Sequence, residues 1–207
     1  FSLLIFSLLF VGIRGGIQPR PINKGWAFHS TDQDLNYSAV NSLWNFVEIL
    51  VNQENTKNSY IFFDKSKADS LFAELHNYMS DSCIYILKKE RPNIVMILME
   101  SVSADNLKTL GANENIMPAL DSLSKLGVSF SDFYASGFRT EQGLIALLSG
   151  FPAQPASTVI RHFSKFENLP HLGRVLSDNS YTNNYYYSGN LSYANTKSYL
   201  LAGGFSK

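Results

Sequence analysis

RPNIVMILME, residues 91–100, sets six consecutive apolar side chains, 94–99, behind a Pro-Asn break and in front of a carboxylate. A run that is apolar without alternation suits a strand covered on both faces, as in a parallel sheet. Ligands of open parallel sheets bind beyond the carboxyl ends of the strands, so an acid placed there is a first candidate functional residue. That acid is Glu100. The plainer reading, in which Glu100 caps the following helix or faces water, stands beside it on this segment alone.

Working outward, SGFRTEQGLIALLSGFP, residues 136–152, supplies a second feature. The preceding stretch 128–134, VSFSDFY, is rich in β-branched and aromatic residues with partial alternation and reads as another strand. Gly137 offers a place to turn. From Thr140 the spacing becomes helical, with Leu144, Leu147 and Leu148 on one face, and Gly150 followed by Pro152 stops the helix. A threonine at a helix start has an ordinary use, capping a free backbone N–H. The same N–H groups and the helix dipole also favour a phosphate beside that hydroxyl. A metal would lower the hydroxyl's pKa and make it a nucleophile, and Arg139 would add a fixed charge matched to phosphate oxygens.

Further along, residues 117–126, MPALDSLSKL, predict a helix with Pro118 in its first turn and Gly127 as its stop. It would join the two strands into a βαβ unit. Residues 169–176 predict a short helix ahead of a third strand at 182–187. The run Tyr185, Tyr186, Tyr187 reads as sheet packing, and Ser188, Gly189 and Asn190 follow at the strand end.

Together, PNIVMILMES, then MPALDSLSKLGVSFSDFYASGFRTEQGLIALLSGFP, then LGRVLSDNSYTNNYYYSGN resemble the sulfatase-like branch of the alkaline phosphatase superfamily. Within it, the sequence is most similar to the membrane-bound phosphoglycerol transferases, which include lipoteichoic acid synthases. The resemblance covers residues 91–207, with a weaker echo in IRGGIQPRPIN at 13–23. It implies an α/β domain whose mainly parallel sheet is flanked by helices. Glu100 matches the family's acidic metal ligand, Thr140 its threonine nucleophile and metal ligand, and Arg139 the basic position before it. The implied cofactor is a divalent ion, most often manganese, with magnesium or zinc as alternatives. The implied partners are a phospholipid donor and a glycan or glycolipid acceptor at a membrane, with no nucleic acid. Asn190 and Lys197, with Tyr193 and Asn195 nearby, are candidates for contact with a glycerol phosphate or head group.

The chain also departs from the family. Such enzymes complete the metal site with an Asp-His pair from a later part of the domain, expected beyond Lys207. The four histidines, His29, His76, His162 and His171, read as surface or loop residues. The 207 residues are therefore expected to be a piece of a larger protein that holds metal poorly by itself. True sulfatases resemble a Cys-x-Pro-x-Arg or Ser-x-Pro-x-Arg pattern at the nucleophile, whereas residues 139–143 read Arg-Thr-Glu-Gln-Gly. That favours phosphoryl over sulfate chemistry. Phosphoethanolamine transfer, sulfuric ester or phosphodiester hydrolysis, and an inactive binding protein of the same fold are the alternatives.

Composition adds limits. With 17 basic and 17 acidic residues the net charge is zero, so nothing in it argues for nucleic acid or a polybasic membrane surface. The single cysteine, Cys83, fits an oxidising compartment. Residues 1–13, FSLLIFSLLFVGI, are apolar and uncharged but shorter than the roughly 20 residues that span a bilayer. They read as the outer end of a transmembrane helix, with the catalytic domain on the extracytoplasmic side of the cell membrane; a buried soluble helix is the alternative. Arg14 and Arg20 after it mildly disfavour an extracytoplasmic placement of this side. Residues 14–90 read as a helical connector, with helices at 38–50 and 67–79 and with Trp26, Phe28 and Trp44 as candidates for the bilayer interface or for packing against the domain.

Overall fold

A helix satisfies its own backbone, and every regular element among the described residues is of that kind. The structure, a computed structural model, describes residues 1–18, 21–51, 61–76, 86–155 and 157–206. It resolves into two compact units, one made of Phe1–Val51 with Ser103–Lys207 and the other of Asn52–Val102. Nine α-helices are present among the described residues: α1 (Ser2–Arg14), α2 (Gln33–Ser38), α3 (Ser42–Val51), α4 (Lys65–His76), α5 (Pro118–Ser124), α6 (Thr140–Ser149), α7 (Phe163–Phe166), α8 (Leu172–Asp178) and α9 (Thr196–Ala202). Arg20, Cys83 and residues 77–79 of the expected 67–79 helix lie outside the described residues.

α1 carries no charge before Arg14 and buries none of its side chains. It ends where Gly15 turns left-handed at φ 82°, a conformation that suits glycine, and the Arg14 guanidinium donates to the Gln18 carbonyl at 2.7 Å. No helix among the described residues is long and apolar enough to cross a membrane.

The core of the larger unit gathers Leu144, Ile145 and Leu148 of α6 with Ile160, Phe163 and Phe166, and with Tyr199 and Leu200 of α9. Phe28 joins them at 1 % exposure, its ring 4.7 Å from that of Phe163. Of the two expected places for Phe28, the bilayer interface and packing against the domain, this is the second, with the rings of Tyr37 and Phe163 against it. Asn36, also fully buried, accepts from the N–H groups of His29 and Ser30 and donates to the Ser30 carbonyl, so the turn that delivers Phe28 is satisfied from within. The Tyr37 hydroxyl donates to Glu167 at 2.5 Å, and burial together with that carboxylate raises the phenol's pKa. Residues 24–40 of the expected connector are thus built into this unit.

α5 starts with Pro118 at its first position, and its buried Asp121 accepts from both the N–H and the hydroxyl of Thr109, at 2.7 and 2.8 Å. Those bonds hold the Asp121 carboxyl below its usual range.

The sequence predicts strands at 94–99, 128–134 and 182–187. All three run without helix, and no paired strand is present among the described residues. In the smaller unit the side chains of 94–99 are exposed, Val95 at 84 % and Ile97 at 76 %. A strand's N–H and C=O groups need a second strand, and its two faces need covering layers. The nearest approach to pairing is at 183, where the Asn183 carbonyl accepts from the N–H of Ser206 at 3.2 Å.

Candidate active site

Three segments fix the surroundings of Thr140. Arg139 is extended, at φ −109° and ψ 144°, and its carbonyl accepts from the N–H groups of Gln142 and Gly143, which starts α6. The buried Gln142 reaches back with Oε1 to the Arg139 N–H at 3.4 Å, and its Nε2 donates to the Gln154 carbonyl at 3.0 Å. Ser136 adds a second tie to the same loop, accepting the Ala153 N–H at 2.7 Å. Thr140 itself is exposed, with the buried face of α6 turned away beneath it. The Arg139 guanidinium lies 5.2 Å from the centre of the exposed Phe138 ring, a cation–π arrangement that keeps the charge beside the turn. Gln142, Ile145, Phe151 and Thr158 help line a shallow recess behind this loop.

The remaining expected site residues are carried by other segments. Glu100 is exposed in a turn of the smaller unit, next to Ser101 at φ 60°. Asn190 is exposed, and its side chain accepts the Ser192 N–H at 2.9 Å. The Lys197 N–H donates to the Leu191 carbonyl at 2.8 Å, closing the same loop. The loop rests on the connector through Asn23, whose side chain donates to the Ser192 carbonyl at 3.4 Å. So the structure brings Arg139 and Thr140 together at one helix start and Asn190 and Lys197 together in one loop. Among the described residues no group of three or more His, Cys, Asp or Glu side chains could hold a metal ion. The donor types available at Glu100 and Thr140, a carboxylate and a hydroxyl, are hard oxygens of the kind that divalent ions prefer.

A sequence model of the family described as Sulfatase matches residues 92–207, more than half the chain. The chain belongs to the sulfatase family. It is thereby placed in the sulfatase and alkaline phosphatase superfamily, whose enzymes are hydrolases or transferases that typically bind a divalent metal. No solved structure matches it. This sulfatase-family chain carries threonine at the start of α6, and residues 139–143 contain no Cys or Ser.

Sequence reading missed the buried polar residues behind α6. His171, expected at the surface or in a loop, lies in the loop just before α8 but is 3 % exposed, which corrects the surface reading. Its ring lies 4.7 Å from that of Tyr199 at a tilt of 46°, its Nδ1 accepts the Gly173 N–H at 3.2 Å to cap α8, and Gly203 is pressed so closely on the ring that a Cβ there would overlap it. Burial, helped by the Arg174 charge, pushes its pKa down to about 4. The Tyr199 hydroxyl shares a 2.7 Å buried hydrogen bond with Ser149 in the last turn of α6, and burial raises that phenol to about 12. The one local sign of this arrangement is a histidine placed just before a helix, where its ring can cap. His29 is exposed and His162 partly so, as expected of them, and the side chain of His76 lies outside the described residues.

Proposed function

We propose that this sulfatase-family protein is a membrane-anchored, metal-dependent phosphotransferase. It would move a phosphoglycerol-type group from a phospholipid to a glycan or glycolipid through a phospho-threonine intermediate. The observation that carries the reading is Thr140, an exposed threonine on the first residue of α6 in a stretch lacking any residue convertible to formylglycine.

In the first step the Thr140 Oγ1 attacks the donor phosphorus and the bond to the lipid oxygen breaks. The threonine proton leaves with that oxygen. In the second step an acceptor hydroxyl attacks the same phosphorus, the bond from phosphorus to the Thr140 Oγ1 breaks, and the proton that the acceptor gives up returns to Thr140. The first-turn N–H groups and dipole of α6 favour the phosphate, and the fixed charge of Arg139 neutralises its oxygens. A divalent cation, manganese in this reading with magnesium or zinc as alternatives, would supply Lewis-acid stabilisation of the phosphoryl charge, with Glu100 and Thr140 as oxygen donors. Asn190 and Lys197 are proposed to meet the head group.

The domain is proposed to be α/β, with 94–99, 128–134 and 182–187 as strands of one sheet. Attachment to the membrane is proposed from α1, which is uncharged before Arg14 and buries none of its side chains, and placement on the extracytoplasmic side of the cell membrane from the resemblance to the phosphoglycerol transferases alone. The test is to offer full-length protein and manganese a phospholipid phosphodiester and an aryl sulfate in parallel. Release of diacylglycerol with the sulfate untouched is expected. Cleavage of the sulfate alone would assign the site to sulfuric ester hydrolysis.

A further inference from the structure

Thr140 is exposed, so no packing around its own side chain fixes where the hydroxyl points. Its position is inherited from the backbone at 139–140. The helix holds one side of that backbone, through the two N–H groups that converge on the Arg139 carbonyl. The other side, the Arg139 N–H, is met by the Oε1 of Gln142, while the Nε2 of the same carboxamide is fixed on the Gln154 carbonyl. Ser136 ties the other end of the turn to Ala153, the residue beside Gln154.

We propose that Gln142 is the positioning residue for Thr140, its carboxamide bridging the turn at 136–140 to the loop at 152–154, with Ser136 as the second clamp. The inference rests on the reading of Thr140 as nucleophile. A carboxamide suits the place because it accepts and donates at once; a carboxylate would keep only the bond from Arg139, and a thioether neither. Gln142 is 6 % exposed, so bulk water does not substitute freely for a lost partner. The neighbourhood is shaped around it: a Cβ on Gly137 would lie 2.6 Å from the Gln142 Oε1 and 2.6 Å from the Ala153 side chain. A glycine is needed for the turn to close on the carboxamide. Displacing a reacting group by about 1 Å costs on the order of a hundredfold in rate, so a clamp of this kind acts on turnover before it acts on binding.

The experiment measures single-turnover formation of phospho-threonine by full-length protein with manganese and labelled phosphatidylglycerol, alongside kcat, KM and the thermal midpoint. Gln142→Met is expected to slow phospho-threonine formation at least about tenfold with KM within about twofold of wild type. Gln142→Glu is expected to fall between the two, and Ser136→Ala, at an exposed position, to slow the step a few-fold. A folded Gln142→Met that forms phospho-threonine at the wild-type rate overturns the proposal. Activity that falls only in proportion to the folded fraction overturns it as well. Should Gln142→Met fail to fold, Gln142→Glu and Ser136→Ala decide, and wild-type rates in both are the contrary result. Thr140→Ala, run beside them, separates the two levels. Transfer that survives in it removes the nucleophile reading, whereas an inactive Thr140→Ala with an undiminished Gln142→Met removes the clamp alone.

Discussion

In α6, Ile145 is 2 % exposed and Leu148 5 %; in the run 94–99, Val95 and Ile97 stand at 84 % and 76 %. A residue proposed for chemistry goes with each, Thr140 at the start of α6 and Glu100 just after 94–99. The contrast follows from where each finds its hydrogen bonds. α6 makes its own and needs only a partner for one face, which Phe163, Phe166 and Tyr199 provide. An extended run makes none by itself and exposes two faces until other strands and helix layers arrive. A helix positions its residues at short range, whereas a strand would need neighbouring strands to do so.

The largest expected effect bears on the helix-borne site. Thr140→Ala in the full-length protein should lower transfer by about a thousandfold or more, with the thermal midpoint nearly unchanged because the side chain is exposed. Next comes a paired truncation that sharpens the contrast. Ile145→Ala should cost roughly 2–5 kcal/mol by denaturant unfolding, and Ile97→Ala in the full-length protein a comparable amount as a strand residue of the proposed sheet, whereas a cost within about 0.5 kcal/mol would leave 94–99 exposed. Equal costs would mean that 94–99 is covered, and the proposed sheet would gain by it.

A third, comparable effect depends on pH. Unfolded, His171 titrates at its ordinary 6.5; folded, at about 4. Between those values the unfolded chain holds more protons, so stability is full above pH 6.5 and falls as pH drops toward 4, by on the order of 3 kcal/mol. The charged or titratable neighbours are Arg174, on the same helix, and the Tyr199 phenol, which stays neutral throughout this range. Replacing His171 with Gln, which still accepts the Gly173 N–H, should flatten that slope in unfolding curves taken from pH 7 to 4. The smallest effect is Tyr199→Phe, which removes the bond to Ser149 and should lower unfolding free energy by about 1 kcal/mol.

Local signals in the sequence were read well where the physics is local. The start of α6 at Thr140 and its left-handed stop at Gly150, φ 63°, follow from helical spacing and glycine. Pro118 at the first position of α5 follows from its missing N–H. α3 begins four residues later than the expected 38–50 helix, because Ser38 closes α2 and residues 39–41 form the break between the two. What stayed hidden is long-range. His171 is buried because Gly203 and Tyr199 close on its ring from about 30 residues away, and Phe28 because α7 reaches it from a distant part of the chain. No local pattern encodes either meeting. The link between Gln142 and Gln154 is of the same kind at shorter range: a polar residue on a helix reads as solvent-facing until the returning loop is in place.

The central claim is that Thr140 takes the phosphoryl group. Full-length protein incubated with manganese and labelled phosphatidylglycerol, then digested and analysed by mass spectrometry, tests it directly. The prediction is a glycerol-phosphoryl adduct on the peptide containing Thr140, absent from Thr140→Ala. Turnover of the lipid by a Thr140→Ala protein, with no adduct at this position in the wild type, would contradict it.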